Sequence, residues 1–209
     1  MLDWLFAIVG FAVFATIHSL LASHTLKKKL FSRFPALSVW YRISYNLISL
    51  VLLVTWAVFL PVSHRVIYRI AYPYVIITSL IQLAALLAGW KTVQLFGSGR
   101  FLGTEQLRRY ISHHEIPEYY DENSRGIFIQ KGLYRYIRHP LYTLSLIILI
   151  CWPVMTTWFA TIVILCALYF WIGSIYEEQK LVKRFGSTYE EYQKRVPRMI
   201  PYRKHPLSA

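Results

Sequence analysis

Four long stretches of the chain contain no charged side chain, and this limits the folds open to it more than any other feature. Residues 4–26, 43–64, 70–90 and 139–176 hold no Asp, Glu, Lys or Arg over 23, 22, 21 and 38 residues. A helix needs about 20 apolar residues to cross a bilayer core, and helices satisfy their own backbone there. We therefore expect an all-α integral membrane protein in which the first three stretches each cross once.

The longest stretch is predicted to cross the membrane twice. At about 1.5 Å of rise per residue, a single helix of this length would extend about 57 Å, close to two traversals of a core about 30 Å thick. Trp152, Pro153, Thr156 and Thr157 lie near its middle, where Pro and Thr can end a helix and satisfy freed backbone groups. The prediction is five transmembrane helices, of which helices four and five form a hairpin.

The basic residues predict the orientation. The chain has 23 Lys and Arg against 10 Asp and Glu, with a formal charge of +13. Five of these basic residues lie in 24–42, seven in 97–138 and eight after Glu177, whereas the opposite side has only Arg65 and Arg69. Because basic loops stay in the cytosol, the N-terminus should be outside and the C-terminus cytosolic. The orientation of the chain and attraction to anionic lipids then explain the excess of Lys and Arg. No nucleic-acid partner is therefore expected.

This topology divides the chain into three regions. Residues 1–96 should form a three-helix membrane region, 97–138 a cytosolic loop, and 139–209 the hairpin and a tail. Within the tail, Tyr189, Tyr192 and Val196 recur at helical spacing. That spacing predicts a short amphipathic C-terminal helix.

Charged residues gather where the hairpin begins and ends. Arg138, His139 and Pro140 open its first helix, and Glu177 and Glu178 close the second. Since a hairpin returns the chain to its starting side, these groups should meet at one cytosolic pocket. Two exposed acids at a helix C-terminus cost about 0.3–1 kcal/mol each. A cation should therefore compensate them, either Arg138 or a cationic ligand, although Arg138 and His139 are also ordinary positive-inside anchors.

The order and spacing of these residues resemble a known family. The pattern consists of Gly132-Leu133-Tyr134, Arg138-His139-Pro140-Leu141-Tyr142, Glu177-Glu178, Leu181, Phe185-Gly186, Tyr189, Tyr192, and Val196-Pro197 with Ile200-Pro201. It is similar to the isoprenylcysteine carboxyl methyltransferase superfamily of membrane enzymes, which use S-adenosylmethionine (SAM). Residues 18–23, Tyr41-Arg42 and Tyr45-Asn46 further resemble the bacterial methanethiol S-methyltransferase branch. The resemblance implies a multi-pass protein of the bacterial inner membrane.

The resemblance also implies a SAM pocket with contributions from the 97–138 loop and the hairpin. Its lining residues would be Gly126, Ile127, Phe128, Ile129, Tyr134, Arg138, His139, Pro140, Leu141, Tyr142 and Glu177. Glu177 can meet the SAM ammonium, while Arg138 or a helix N-terminus can hold its carboxylate. Tyr134 and Tyr142 can pack against adenine or the sulfonium, or simply belong to an interfacial aromatic belt.

The acceptor implied by the resemblance is a small thiol such as methanethiol. Gly173 stands where the prenylcysteine enzymes have an Arg associated with the substrate carboxylate, and Trp152 with Met155 matches the methanethiol branch. Tyr142 and the length of loop 104–125 fit that branch less well, so an isoprenylcysteine or lipid acceptor is the alternative. His18 is a candidate base for the thiol or a histidine bonded between helices. Glu178 is a candidate catalytic residue in a supporting role, acting on His139.

Two other function classes stay open on the sequence. One is an NADPH-dependent membrane reductase, which would be expected to offer more Arg for phosphates. The other is a non-catalytic membrane protein that binds a lipid or a partner. We expect no metal site, because the adjacent His113 and His114 diverge on a helix. The expected partners are a small membrane-permeant or lipidic acceptor and membrane lipids, and the oligomeric state is left open.

Overall fold

The protein is mostly helical. A computed structural model describes residues 2–59, 65–114 and 128–202. In chain order the elements are α1 (Leu2–Ala22), α2 (His24–Arg33), α3 (Leu37–Phe59), β1 (Val66–Arg69), α4 (Tyr74–Phe96), α5 (Ser98–Leu102), α6 (Thr104–His113), a short 3₁₀ helix (Gly132–Arg135), α7 (Pro140–Ile150), β2 (Val154–Thr156), α8 (Thr157–Phe185) and α9 (Ser187–Arg195). The part of the 97–138 connection that is described thus contains helices, where the sequence had suggested a loop.

Among the described residues, four helices are long and apolar enough to cross a membrane. They are Trp4–Ala22 in α1, Leu37–Val58 in α3, and the whole of α4 and α8. The chain is therefore a multi-pass membrane protein, as predicted. The apolar helix α7 has only 11 residues, about 17 Å at 1.5 Å per residue. The fifth crossing and the orientation stay predictions.

The described chain forms two compact units, the first comprising residues 1–62 and 96–127. Here α1 packs along α3, where the Trp56 indole nitrogen donates to the Ala7 carbonyl at 2.9 Å and the Tyr41 hydroxyl donates to the Leu21 carbonyl at 2.8 Å. At the polar end of α3, Arg42 and Asn46 donate to the Phe101 carbonyl of α5. Side-chain hydrogen bonds to backbone carbonyls therefore link α1 and α5 to α3.

Gly103, between α5 and α6, is required by close packing. Its φ of 92° lies in the left-handed region, and a Cβ built there would lie 2.9 Å from the Ile43 backbone nitrogen. Only a residue without a side chain fits against α3 at this point.

The second unit comprises residues 63–95 and 128–209, and it contains the hairpin. The turn between α7 and α8 is not a simple loop, because β2 pairs antiparallel with β1, with Val66 opposite Thr156 and Arg69 opposite Val154. The Thr156 hydroxyl caps α8 by accepting from the Phe159 backbone N–H. This strand pair, absent from the all-helical prediction, joins the connection before α4 to the connection before α8.

The last carbonyls of α7 are satisfied by side chains of neighbouring elements. The Gln82 amide of α4 donates to the Ile148 carbonyl at 2.9 Å, and the Tyr68 hydroxyl of β1 donates to the Ile150 carbonyl at 3.5 Å. Such partners allow a helix to end within an apolar layer, where unsatisfied carbonyls are costly.

The C-terminal helix α9 turns back under α8 at Gly186, whose φ is 56°. Tyr189, Tyr192 and Val196 are buried together, with Phe128 and Phe185 against them. The amphipathic tail helix predicted from these three residues is confirmed. It fixes the residues after α9 beside the start of α7.

Candidate functional site

Glu178 is the centre of a buried ion cluster in the second unit. It lies within α8, which continues to Phe185, so the prediction that the two glutamates end this helix was wrong. Its side chain is 3% exposed. Arg138 donates to both carboxylate oxygens, from Nε at 2.8 Å and Nη2 at 3.1 Å. Arg198 does the same from Nε at 3.3 Å and Nη2 at 3.0 Å, and Gln193 and His139 add single bonds. Such a fully bonded carboxylate is suited to holding its neighbours in place.

Arg138 is equally occupied. Besides Glu178, its Nη1 donates to the carbonyls of Gln193 at 2.7 Å and Val196 at 2.9 Å, and its side chain is 9% exposed. All three guanidinium nitrogens therefore have protein partners. The prediction that Arg138 holds a ligand carboxylate is untested, and this geometry favours its alternative role as the compensating cation.

Glu177 lies in a different environment, although it is the adjacent residue. Its side chain is 43% exposed. Oε2 accepts from the Tyr142 hydroxyl at 3.1 Å and lies 3.5 Å from His139 Nδ1. Among the described residues, nothing donates to Oε1. Glu177 is thus an oriented carboxylate with one oxygen available to a ligand.

His139 connects the two glutamates, as the hairpin geometry had suggested. Nε2 lies 3.0 Å from Glu178 Oε1, while Nδ1 faces Glu177. Burial alone would lower the pKa of His139, but the hydrogen bonds and charges of Glu177 and Glu178 outweigh it and raise the pKa above 6.5. Because each ring nitrogen faces a carboxylate, the doubly protonated imidazolium suits this position.

Parallel aromatic rings extend from His139 along the hairpin. The ring of Tyr142 stacks on His139 with centroids 5.3 Å apart and on Phe170 with centroids 4.8 Å apart, and both pairs are parallel within a few degrees. Stacking fixes the plane of the imidazole and so the direction of its two N–H groups. The result is a stack of three parallel rings beside Glu177.

The other predicted pocket residues lie around this cluster or beyond the described chain. Burial and the charge of Glu177 raise the pKa of Tyr134, whose carbonyl accepts from the Tyr192 hydroxyl. Pro140 is buried as the first residue of α7, followed by the half-buried Leu141. Phe128 stacks on Phe185, and Ile129 follows it. Gly126 and Ile127 lie outside the described residues.

Comparison with known proteins identifies the family. Residues 11–196 match the family model described as "Protein of unknown function (DUF1295)". The chain belongs to this family. The match covers the sequences of both units, including every residue of the ion cluster except Arg198.

Curated relatives of this family member are methanethiol S-methyltransferases. The chain is 33% identical to methanethiol S-methyltransferase 1 of Bradyrhizobium diazoefficiens, over 34% of this chain and 25% of that protein. It is 36% identical to the enzyme of Pseudomonas deceptionensis, over 40% and 32% of the two chains, and 32% identical to that of Crocosphaera subtropica, over 36% and 29%. The aligned part thus spans a quarter to a third of these relatives. The resemblance found in the sequence is confirmed. No solved structure matches the chain.

His18 belongs to the first unit, where it joins α1 to α3. Its Nδ1 lies 2.8 Å from the Ser49 hydroxyl and its Nε2 lies 2.8 Å from the Tyr45 hydroxyl. These bonds are those of a histidine between helices, which was the alternative to a catalytic base. The base role stays a prediction.

Two members of the cluster, Gln193 and Arg198, were missed by sequence reasoning. The available signal was Arg198 itself, a charged residue between Pro197 and Pro201 in an otherwise apolar segment. Gln193 has no comparable signal, because it is one polar residue among several on α9.

The adjacent histidines His113 and His114 were considered as metal ligands in the sequence. His113 ends α6, and the next acidic residue, Glu115, lies outside the described residues. The absence of a metal site there stays a prediction.

Proposed function

We propose that this protein is a SAM-dependent methyltransferase of the bacterial inner membrane, with its cofactor site at Glu177. The observation that carries the proposal is the contrast between two adjacent glutamates. Glu178 is buried and fully bonded within the protein, whereas Glu177 is oriented by Tyr142 and His139 with Oε1 available. The Glu177 carboxylate is thus placed to bind the ammonium group of a ligand through Oε1.

The residues present fit SAM. Glu177 would bind the ammonium through a charge-assisted hydrogen bond. Tyr134 would supply aromatic surface for the adenine or the sulfonium. Tyr142 is already stacked on His139 and Phe170, and its contribution is the hydroxyl that orients Glu177. Because Arg138 is engaged with Glu178, the N-terminal turn of α7 is the better partner for the carboxylate. When bound, SAM supplies an electrophilic methyl group, and the protein contributes mainly by holding the acceptor in line with it.

The acceptor we propose is a small thiol such as methanethiol. The curated relatives act on methanethiol by name. Gly173 lies one turn before Glu177 on α8, and a Cβ added there would meet no atom within 4 Å. Position 173 itself supplies no cation for a carboxylate-bearing acceptor, so it suits a neutral and compact molecule. A small thiol reacts as the thiolate, for which His18 is the candidate base.

Cofactor binding and turnover test the proposal in two steps. Calorimetry of the purified protein should detect S-adenosylhomocysteine and not NADPH. Labelled SAM with methanethiol should then give methylated thiol at a rate that rises with pH as the thiolate fraction grows. A farnesylcysteine analogue should be a poor acceptor. Binding of NADPH alone would favour a reductase, whereas fast turnover of the farnesylcysteine analogue would favour carboxyl methylation at the same cofactor site.

A further inference from the structure

We propose that Arg198 is a positioning residue for Glu177, acting through Glu178 and His139. The proposal rests on the function proposed above, since it concerns how the cofactor carboxylate is held. Neither guanidinium of the cluster lies within reach of Glu177 in the described contacts. The effect of Arg198 is therefore indirect.

Arg198 differs from Arg138 in what holds it. Arg138 also donates to two backbone carbonyls, so it stabilises the fold whether or not Glu178 is charged. In the described chain every hydrogen bond from the Arg198 side chain goes to Glu178, and its guanidinium lies 5.2 Å from the centre of the Trp171 ring. Its side chain is 25% exposed. This geometry directs Arg198 toward one partner.

The segment that carries Arg198 also holds the backbone of the site. The backbone N–H of Arg138 donates to the Pro197 carbonyl and that of His139 to the Arg198 carbonyl, both at 2.9 Å. Farther along, the Thr143 hydroxyl donates to the Met199 carbonyl at 2.8 Å. Residues 196–199, here named the C-terminal strap, thus place the Arg198 side chain and the His139 ring in a fixed relation.

The link from Arg198 to Glu177 passes through two charged contacts. Arg198 and Arg138 each bond both oxygens of Glu178 and fix that carboxylate. Glu178 then fixes Nε2 of His139, and the opposite nitrogen of the same ring faces Glu177. A displacement of Glu178 would therefore turn the imidazole and release one of the two groups that orient Glu177.

The charges around His139 give the sign of the expected pH effect. The groups in contact with His139 are Glu177 and Glu178 of α8 and Tyr142 of α7. The groups that act on the two glutamates are Arg138, Arg198 of the strap, Tyr134, and Tyr189 and Tyr192 of α9. Because the pKa of His139 is raised, its charged form stabilises the fold fully below pH 6.5. This contribution is lost as the pH rises through the raised pKa. If loss of Arg198 displaces Glu178, Nε2 of His139 loses its carboxylate partner, so the pKa should fall and the loss of stability should move to lower pH.

The first experiment follows thermal unfolding of the purified protein without cofactor from pH 6 to pH 9. In Arg198→Gln the His139-dependent fall in stability should shift downward by about half a pH unit or more, because the ring loses a carboxylate partner that raises its pKa. Arg198→Lys should return it toward the original protein. The control is Arg195→Gln, which removes an arginine that is 59% exposed on α9 and should leave the profile unchanged.

The second experiment measures the affinity for S-adenosylhomocysteine, a zwitterion whose binding responds little to a distant charge. Arg198→Gln should raise Kd by about 2- to 10-fold, the worth of one hydrogen bond, and Arg198→Lys should recover part of it. A folded Arg198→Gln protein overturns the proposal if its pH profile is unchanged, or if the profile shifts upward as it would when a charge is removed with Glu178 in place. If that variant does not fold, an Arg198→Lys protein with the original affinity overturns it instead. Absence of binding by the unsubstituted protein counts against the proposed function, while the pH series still tests the link to His139.

Discussion

At the scale of single residues, the same substitution should mainly lower stability at Glu178 and mainly weaken cofactor binding at Glu177. Glu178→Gln leaves Arg138 and Arg198 without a counter-charge, and breaking a buried ion pair from one side costs about 3–5 kcal/mol. Glu177→Gln should lower stability by about 1 kcal/mol or less, because the side chain is partly exposed. For S-adenosylhomocysteine the order reverses, and Glu177→Gln should weaken binding by about 1.5–3 kcal/mol.

Thermal unfolding and calorimetry of the two purified variants measure both effects. Glu191→Gln is the matched control, since that side chain is 65% exposed and pairs with Arg195 within α9. Equal loss of stability in Glu177→Gln and Glu178→Gln would contradict the division of roles. Unchanged affinity for S-adenosylhomocysteine in Glu177→Gln would show that Glu177 does not bind the cofactor.

The sequence predicted that Glu177 and Glu178 meet Arg138 and His139, but not that the two glutamates have different roles. Hairpin topology alone brings Arg138 and His139 to Glu177 and Glu178. The two glutamates have the same side chain and adjacent positions, so nothing local distinguishes them. Their difference depends on Gln193 and Arg198, which reach only Glu178 because α9 folds back beneath α8.

At the scale of elements, two glycines should respond differently to alanine. Gly103→Ala places a Cβ 2.9 Å from the α3 backbone at a φ of 92°, so it should destabilise the contact between α3 and the α5–α6 pair by about 1–3 kcal/mol. Gly173→Ala meets open space inside α8, where alanine is favoured over glycine by up to about 1 kcal/mol. Thermal unfolding of both variants should therefore move in opposite directions. A loss of stability in Gly173→Ala as large as in Gly103→Ala would show that the space beside Gly173 is not open.

The long helices could be predicted because their length and apolar composition are local properties. The break in the hairpin could be predicted too, because α7 ends at Ile150, just before Trp152 and Pro153. β1 and β2 have four and three residues, too few for any periodicity to show. Their pairing could not be predicted, since it joins segments that are distant in sequence.

At the scale of the whole molecule, the second unit supports the prediction that the hairpin returns across the membrane. From Thr157 to Glu178, α8 rises about 32 Å at 1.5 Å per residue. Since His139 bonds Glu178 and β2 precedes Thr157, the chain from His139 to Thr157 covers the same distance in the opposite direction. α7 supplies about 17 Å of this and the three residues of β2 supply about 10 Å, while the turn residues 151–153 cover the rest. A short helix followed by a turn and a strand thus covers the length of the predicted fifth crossing.

Single cysteines in a chain with Cys151 and Cys166 replaced by serine test the predicted orientation. In intact cells a membrane-impermeant maleimide should label Ile67→Cys, on the exposed strand β1. This position lies between Arg65 and Arg69, in the connection that is predicted to face the outside of the cell. Tyr136→Cys and Arg195→Cys should be labelled only after permeabilisation, since both lie near the basic cluster that the positive-inside rule places in the cytosol. These three positions are exposed, so a missing label reports the membrane and not burial. Labelling of Tyr136→Cys but not Ile67→Cys in intact cells would reverse the orientation. Labelling of Arg195→Cys together with Ile67→Cys would place the C-terminus outside and reduce the crossings to an even number.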